Sequence, residues 1–267
     1  MLGYDLDATR CDALRAAGGE AAADAAAVFR RCDRVLLSLP THTVVAALLE
    51  TCAPALRAGQ TVIDTTTGDP GGAETIARDL AARGVTYLDA TISGSSAQVR
   101  AGSAVVMVGG ERGAFDASAE VFARLGCRAF HTGAPGSGAK MKLATNIVLG
   151  LNRAALAEGL AFARGLGLDA AQTLEILRAG PAYARIMDSK GQKMLTGDFA
   201  PEARLSQHLK DVRLILEQGR AAGLPMTLSA AHREILEAAE AAGLGGLDNS
   251  ALIRVLAGEV PGPAPKP

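Results

Sequence analysis

Short β-branched runs alternate with helix-length segments through the first half of the chain and then stop, and few folds accommodate that change. The runs are RVLLSLP (34–40), TVIDTTT (61–67), VTYLDATI (85–92), SAVVMVGG (103–110) and CRAFHTG (127–133). Before and between them lie CDALRAAGGEAAADAAAVFRRC (11–32), VVAALLETCAPAL (44–56) and ETIARDLAARG (74–84), which read as helices. Strands separated by helices of ten or more residues predict a doubly wound parallel sheet. RVLLSLP, apolar and closed by Pro, reads as a strand buried on both faces. After GAPGSG (133–138) no strand pattern recurs. Met141, Ala144, Val148, Leu151 and Ala155 recur at steps of three and four, the stripe of a long helix packed on one side. Further helical stretches follow at 169–180, 203–223, 227–243 and 249–258. The fold class is therefore α/β plus all-α. An α/β domain over 1–135 precedes an all-helical domain over 136–260, and PGPAPKP (261–267) is expected to be a disordered tail.

Composition removes several function classes. Aromatics are 3% of 267 residues and there is no Trp, so Ala, Leu and Val must fill the core. A net charge of -1 with acids and bases interspersed offers no basic face for nucleic acid. No apolar run approaches the ~20 residues of a membrane span, and MLGYDLDATR lacks the pattern of a signal peptide. Cys11, Cys32, Cys52 and Cys127 form no CxxC pair, and the four histidines show no metal-ligand spacing. The chain reads as cytoplasmic and metal-free, with free thiols.

GSGAKMKLATN (136–146) carries the most chemistry. Two glycines lead into a helix bearing Lys142 and Asn146 four residues apart, so an ammonium and an amide share one face. A lysine on an Ala-rich helix is ordinarily solvated, and Lys140, about 200° around the helix, fits that description. DATISG (89–94) ends an apolar strand in a small-residue turn at Ser93 and Gly94. On residues alone that turn could serve geometry only. Leu39, Pro40 and Thr67 follow the carboxyl ends of two strands, where open α/β sheets bind ligands. A purely structural role for Leu39 and Pro40 is equally consistent.

Together DATISG and GxGxxxKxxxN resemble the β-hydroxyacid dehydrogenases, the family of 3-hydroxyisobutyrate dehydrogenase and tartronate semialdehyde reductase. The resemblance covers Tyr4 to about Leu256 and implies a Rossmann-like first domain and a nicotinamide cofactor. It implies that Lys142 exchanges the proton at the hydroxyl carbon and that Asn146 aligns substrate and lysine. Ser93 and Gly94 would hold the substrate carboxylate, with a glycine needed for backbone approach. QHLKD (207–211) matches the family's KD motif, which puts Lys210 by the nicotinamide. Leu39, Pro40 and Thr67 would hold the dinucleotide. Asp5 would bond the adenine ribose, implying NAD, with NADP as the alternative. Thr145 and Ser95 depart from the family's second Asn and third Gly. The resemblance also implies a small hydroxy-acid or semialdehyde substrate, and the one-sided apolar helix predicts a homodimer or homotetramer.

There is no GxGxxG after a first strand, the motif that seats a pyrophosphate on a helix N-terminus. Relative to the family the chain is expected to begin about 25–30 residues late, one strand, loop and helix of a βαβ unit, and to bind NAD weakly in consequence. Two other readings stand beside the dehydrogenase: an imine reductase on the same scaffold, and a cofactor-deficient dimerisation module.

Overall fold

The computed structural model describes residues 1–125 and 128–262. Residues 263–267 of the expected tail and the Cys127 thiol lie outside them. The chain divides into two compact units, Met1–Lys142 and Leu143–Pro267.

The first unit runs β1 (Leu2–Gly3), α1 (Ala8–Ala16), β2 (Glu20–Ala21), α2 (Ala25–Arg31), β3 (Arg34–Leu37), α3 (His42–Thr51), β4 (Thr61–Asp64), α4 (Pro70–Ala81), β5 (Thr86–Ser93), α5 (Ser96–Arg100), β6 (Val105–Gly109), α6 (Arg112–Ala117), α7 (Ala119–Arg124) and β7 (Arg128–Gly133). The first four of these helices start where short polar side chains stop the preceding loop. Asp7, Asp24, Thr41 and Asp69 each accept an amide of the first turn, and Pro70 sits at the first helical position of α4. The main sheet has the order β3-β4-β5-β6-β7, and β1 and β2 form a separate two-stranded sheet. Successive residues of β4 point to opposite faces. Val62 enters a core with Val35, Leu37, Val45, Leu49 and Leu80, and Ile63 enters another with Leu88, Val106, Val108 and Phe122.

Three sequence expectations are corrected in this unit. The segment 11–32 is not one helix: Gly18, at φ 81°, ends α1, and β2 follows before Asp24 opens α2. The sheet is parallel at β3–β4, β4–β5 and β6–β7 but antiparallel at β5–β6. The link from β5 to β6 holds only the five-residue α5, too little for the crossover a parallel pair requires. Finally, β3 is an edge strand with alternating burial, so Leu36 is 42% exposed instead of buried.

The helix α8 (Ser137–Gly165) begins in the first unit and continues into the second. There α9 (Ala170–Ala179), α10 (Ile186–Thr196), α11 (Leu205–Ala221), α12 (Thr227–Ala241) and α13 (Ile253–Leu256) complete the unit. Its core is built from Leu156, Leu160, Leu174, Met194, Leu205, Leu236 and Leu252. A buried ion pair ties it together: Lys190 Nζ donates to Asp248 Oδ2 at 2.9 Å, and Asp248 also accepts from Ser250. The buried face of α8 carries Leu143, Asn146, Arg153, Leu156 and Leu160. The stripe Met141, Ala144, Val148, Leu151 and Ala155 was expected to pack inward but faces outward, with Val148 60% exposed. Two polar residues on the inward face, Asn146 and Arg153, reverse what the hydrophobic pattern alone implies.

Candidate active site

The first turn of α8 is held by side chains of β5. Asp89 Oδ1 accepts the Gly136 amide and Asp89 Oδ2 the Ala139 amide, both at 2.9 Å. Thr91 Oγ1 donates to the Gly138 carbonyl at 2.9 Å. A helix N-terminus has amides without intrahelical acceptors, and here a distant strand supplies them. Burial raises the Asp89 pKa, and these same amides oppose the rise. The strand ends at Ser93, which is half-buried, and is followed by Gly94, whose φ of 152° suits glycine and whose Cβ position lies 2.8 Å from Ala104 Cβ. The next turn of α8 carries Lys142, half-buried. Lys140 is exposed, and its ammonium donates to Glu74 at 2.7 Å.

One turn beyond Lys142, in the second unit, Asn146 is buried. Its Nδ2 donates to Asp211 Oδ2 at 3.2 Å. The carboxylate oxygen accepts, so the amide presents its NH₂ to Asp211. Asp211 lies on α11 next to Lys210, whose Nζ is 3.5 Å from Asp211 Oδ1. Lys210 is half-buried.

The carboxyl ends of β3 and β4 lie side by side in the first unit. The Leu39 amide donates to Thr66 Oγ1 at 3.1 Å and Thr65 Oγ1 to the Leu37 carbonyl at 2.7 Å, which joins the β3 and β4 ends into one rim. Pro40 is exposed on that rim and Thr67 is half-buried. Asp5 follows β1 as an exposed carboxylate whose Oδ1 accepts the Asp7 amide at 2.9 Å. An exposed carboxylate beside a strand end is chemically matched to ribose hydroxyls.

Sequence reasoning missed Asp89, Thr91 and Asp211. The first two sit within DATISG and the third within QHLKD, so each lay inside a recognised motif. It also missed a buried polar cluster in the second unit. Arg153 is fully buried with Nε and Nη1 unpartnered, and the His208 and His232 rings stand 5.1 Å apart. Burial, followed by the charge of Arg153, lowers the His232 pKa to about 4.

Residues 1–133 match the family described as the NAD binding domain of 6-phosphogluconate dehydrogenase. Residues 136–256 match the family described as NAD-binding of NADP-dependent 3-hydroxyisobutyrate dehydrogenase. L-threonate dehydrogenase of Cupriavidus necator is 31% identical over 253 residues, spanning 93% of this chain and 85% of that protein. The 2-hydroxy-3-oxopropionate reductase of Escherichia coli is 30% identical over 248 residues, with 92% and 85% covered. Among solved structures, 3-hydroxyisobutyrate dehydrogenase from Salmonella typhimurium superposes with a TM-score of 0.87 at 25% identity, covering 95% of this chain and 90% of that one.

Proposed function

Because the chain belongs to the β-hydroxyacid dehydrogenase family and so uses a nicotinamide dinucleotide, we propose that it interconverts a short β-hydroxy acid and its semialdehyde. A nicotinamide dinucleotide, when bound, would supply or accept the hydride. Lys142 takes the hydroxyl proton in oxidation and returns it to the carbonyl oxygen in reduction. Asn146, its amide held by Asp211, aligns the lysine and the substrate oxygen. Ser93 and Gly94 bind the carboxylate, Lys210 stands beside the nicotinamide, and Asp5, Leu39, Pro40 and Thr67 hold the dinucleotide. The observation that carries this reading is the burial of Asn146 against Asp211 one turn from Lys142, because a buried amide needs a hydrogen-bond partner and Asp211 fixes this one in a single orientation. The test is a screen of L-threonate, 2-(hydroxymethyl)glutarate, 3-hydroxyisobutyrate and 2-hydroxy-3-oxopropionate with NAD and NADP cofactors in the appropriate redox state. Turnover of at least one is expected. Reduction of cyclic imines with none of the acids turned over would replace the assignment.

The same reading includes a homodimer or larger assembly. The helical unit exposes Val148 at 60%, Phe162 at 67%, Leu166 at 61% and Ile176 at 64%, more large apolar surface than a small helical unit ordinarily leaves in water. Light scattering should give at least a dimer at micromolar protein, and Phe162→Asp should shift the population toward monomer. A wild-type monomer would end this part of the proposal.

A further inference from the structure

We propose that Asp89 is a positioning residue for the reaction, holding Lys142 in register with the strand end that bears Ser93 and Gly94, with Thr91 as its second fastening. The inference rests on the assignment of Lys142 as the acid–base group. One carboxylate spans two amides three residues apart in the chain, Gly136 and Ala139. A simple cap would need only one. Thr91 Oγ1 reaches the Gly138 carbonyl, the acceptor that the i to i−4 pattern of an α-helix gives to the Lys142 amide. Thus Asp89 fixes both ends of the first turn, and Thr91 bonds to the carbonyl on which the lysine's own backbone hangs. All of these groups belong to the first unit, as does Lys142.

The surroundings leave this arrangement no slack. A Cβ on Gly138 would lie 2.3 Å from the Asp89 carbonyl oxygen and 2.6 Å from that of Met107. A Cβ on Gly109 would lie 2.4 Å from Asp89 Oδ1. The helix therefore starts with its backbone pressed onto β5 and β6, closer than any side chain permits. Ser93 lies four positions beyond Asp89 along β5, and Lys142 three positions beyond Ala139 along α8, so Asp89 is the point from which both segments diverge. A misplacement of about 1 Å in a catalytic group can cost on the order of 10²-fold in rate. A bond network that sets this register should therefore be visible in turnover.

The experiment compares Asp89→Asn, Thr91→Val and Lys142→Ala with the wild type, using whichever of the four acids above the wild type turns over. Asp89→Asn preserves shape but turns one acceptor into a donor facing an amide. Thr91→Val removes only the hydroxyl and guards against failure of the first variant to fold. For each folded variant kcat and KM are measured alongside the melting temperature, and hydrogen exchange is followed over residues 136–143. The expected result is a kcat lower by roughly 10–100-fold, a KM changed much less, and faster exchange confined to the first turn of α8. Folded variants with kcat within about threefold of wild type, while Lys142→Ala is inactive, overturn the positioning role alone; threefold is well short of the ~10² expected for a displaced group. A kcat that falls only in proportion to the folded fraction overturns it equally. An active Lys142→Ala, or a wild type that turns over none of the acids, removes the assignment on which the inference stands.

Discussion

At the scale of single residues, two lysines two positions apart are separated by what they touch. Lys140 is committed to Glu74 on the surface, an exposed pair worth little. Lys140→Ala should therefore leave both kcat and stability near wild type. Lys142→Ala should lower kcat by roughly 10²–10⁴-fold, the usual cost of losing an acid–base group, with dinucleotide affinity by calorimetry nearly unchanged. Equal losses in the two variants would show the register to be wrong. His232 bears on stability instead. In the unfolded chain its imidazole takes a proton near pH 6.5, whereas in the folded helical unit burial and Arg153 delay this to about pH 4. The unfolded state thus binds more protons between these values, so stability declines as pH falls from about 6.5 to about 4 and is not lowered further by this group below that. The upper bound on the loss is about 3–4 kcal/mol. Urea melts across this range should show the decline in wild type and a flatter profile in His232→Phe.

At the scale of elements, α8 offers a paired prediction. A Cβ on Gly150 would stand 2.6 Å from His208 Nε2 and 2.8 Å from His232 Cε1, whereas Gly159 has nothing within 4 Å of its Cβ position. Replacing a helical glycine by alanine gains ~1 kcal/mol from propensity, but forcing a methyl into a packed site costs ~1–3 kcal/mol. Gly159→Ala should raise the melting temperature and Gly150→Ala should lower it. The same helix shows where sequence reading succeeds and where it stops. Its start was legible because glycines and a polar turn interrupt an otherwise helical pattern, and β4 and β5 were legible from their β-branched residues. Its inward direction was not, because Asn146 and Arg153 are polar side chains on the buried face. The direction of β6 was hidden for another reason: a strand's pattern does not encode its orientation, and only the length of its link to β5 does. Within the candidate site, Lys142, Ser93 and Gly94 came from recognised motifs. Asp89 and Asp211 did not stand out, because a carboxylate that accepts backbone or amide protons looks in sequence like any other acid.

At the scale of the molecule, two units with separate cores share one continuous helix. Among the described residues no helix is long and apolar enough to cross a membrane. The shared helix has a practical consequence for anyone who wishes to express the halves separately. A break between Pro135 and Gly136 keeps α8 whole on the helical fragment but takes both amides away from Asp89, stranding a buried carboxylate in the other fragment. A break after Lys142 returns those amides but leaves the α/β fragment ending in a stub from Ser137 to Lys142, far below the ~12–15 residues an isolated helix needs in water. Neither junction is neutral, and the damage is unequal. From a cistron cut at Gly136, the helical fragment should be recovered folded and the α/β fragment insoluble, with co-expression rescuing the latter only if the two pieces reassociate around that first turn.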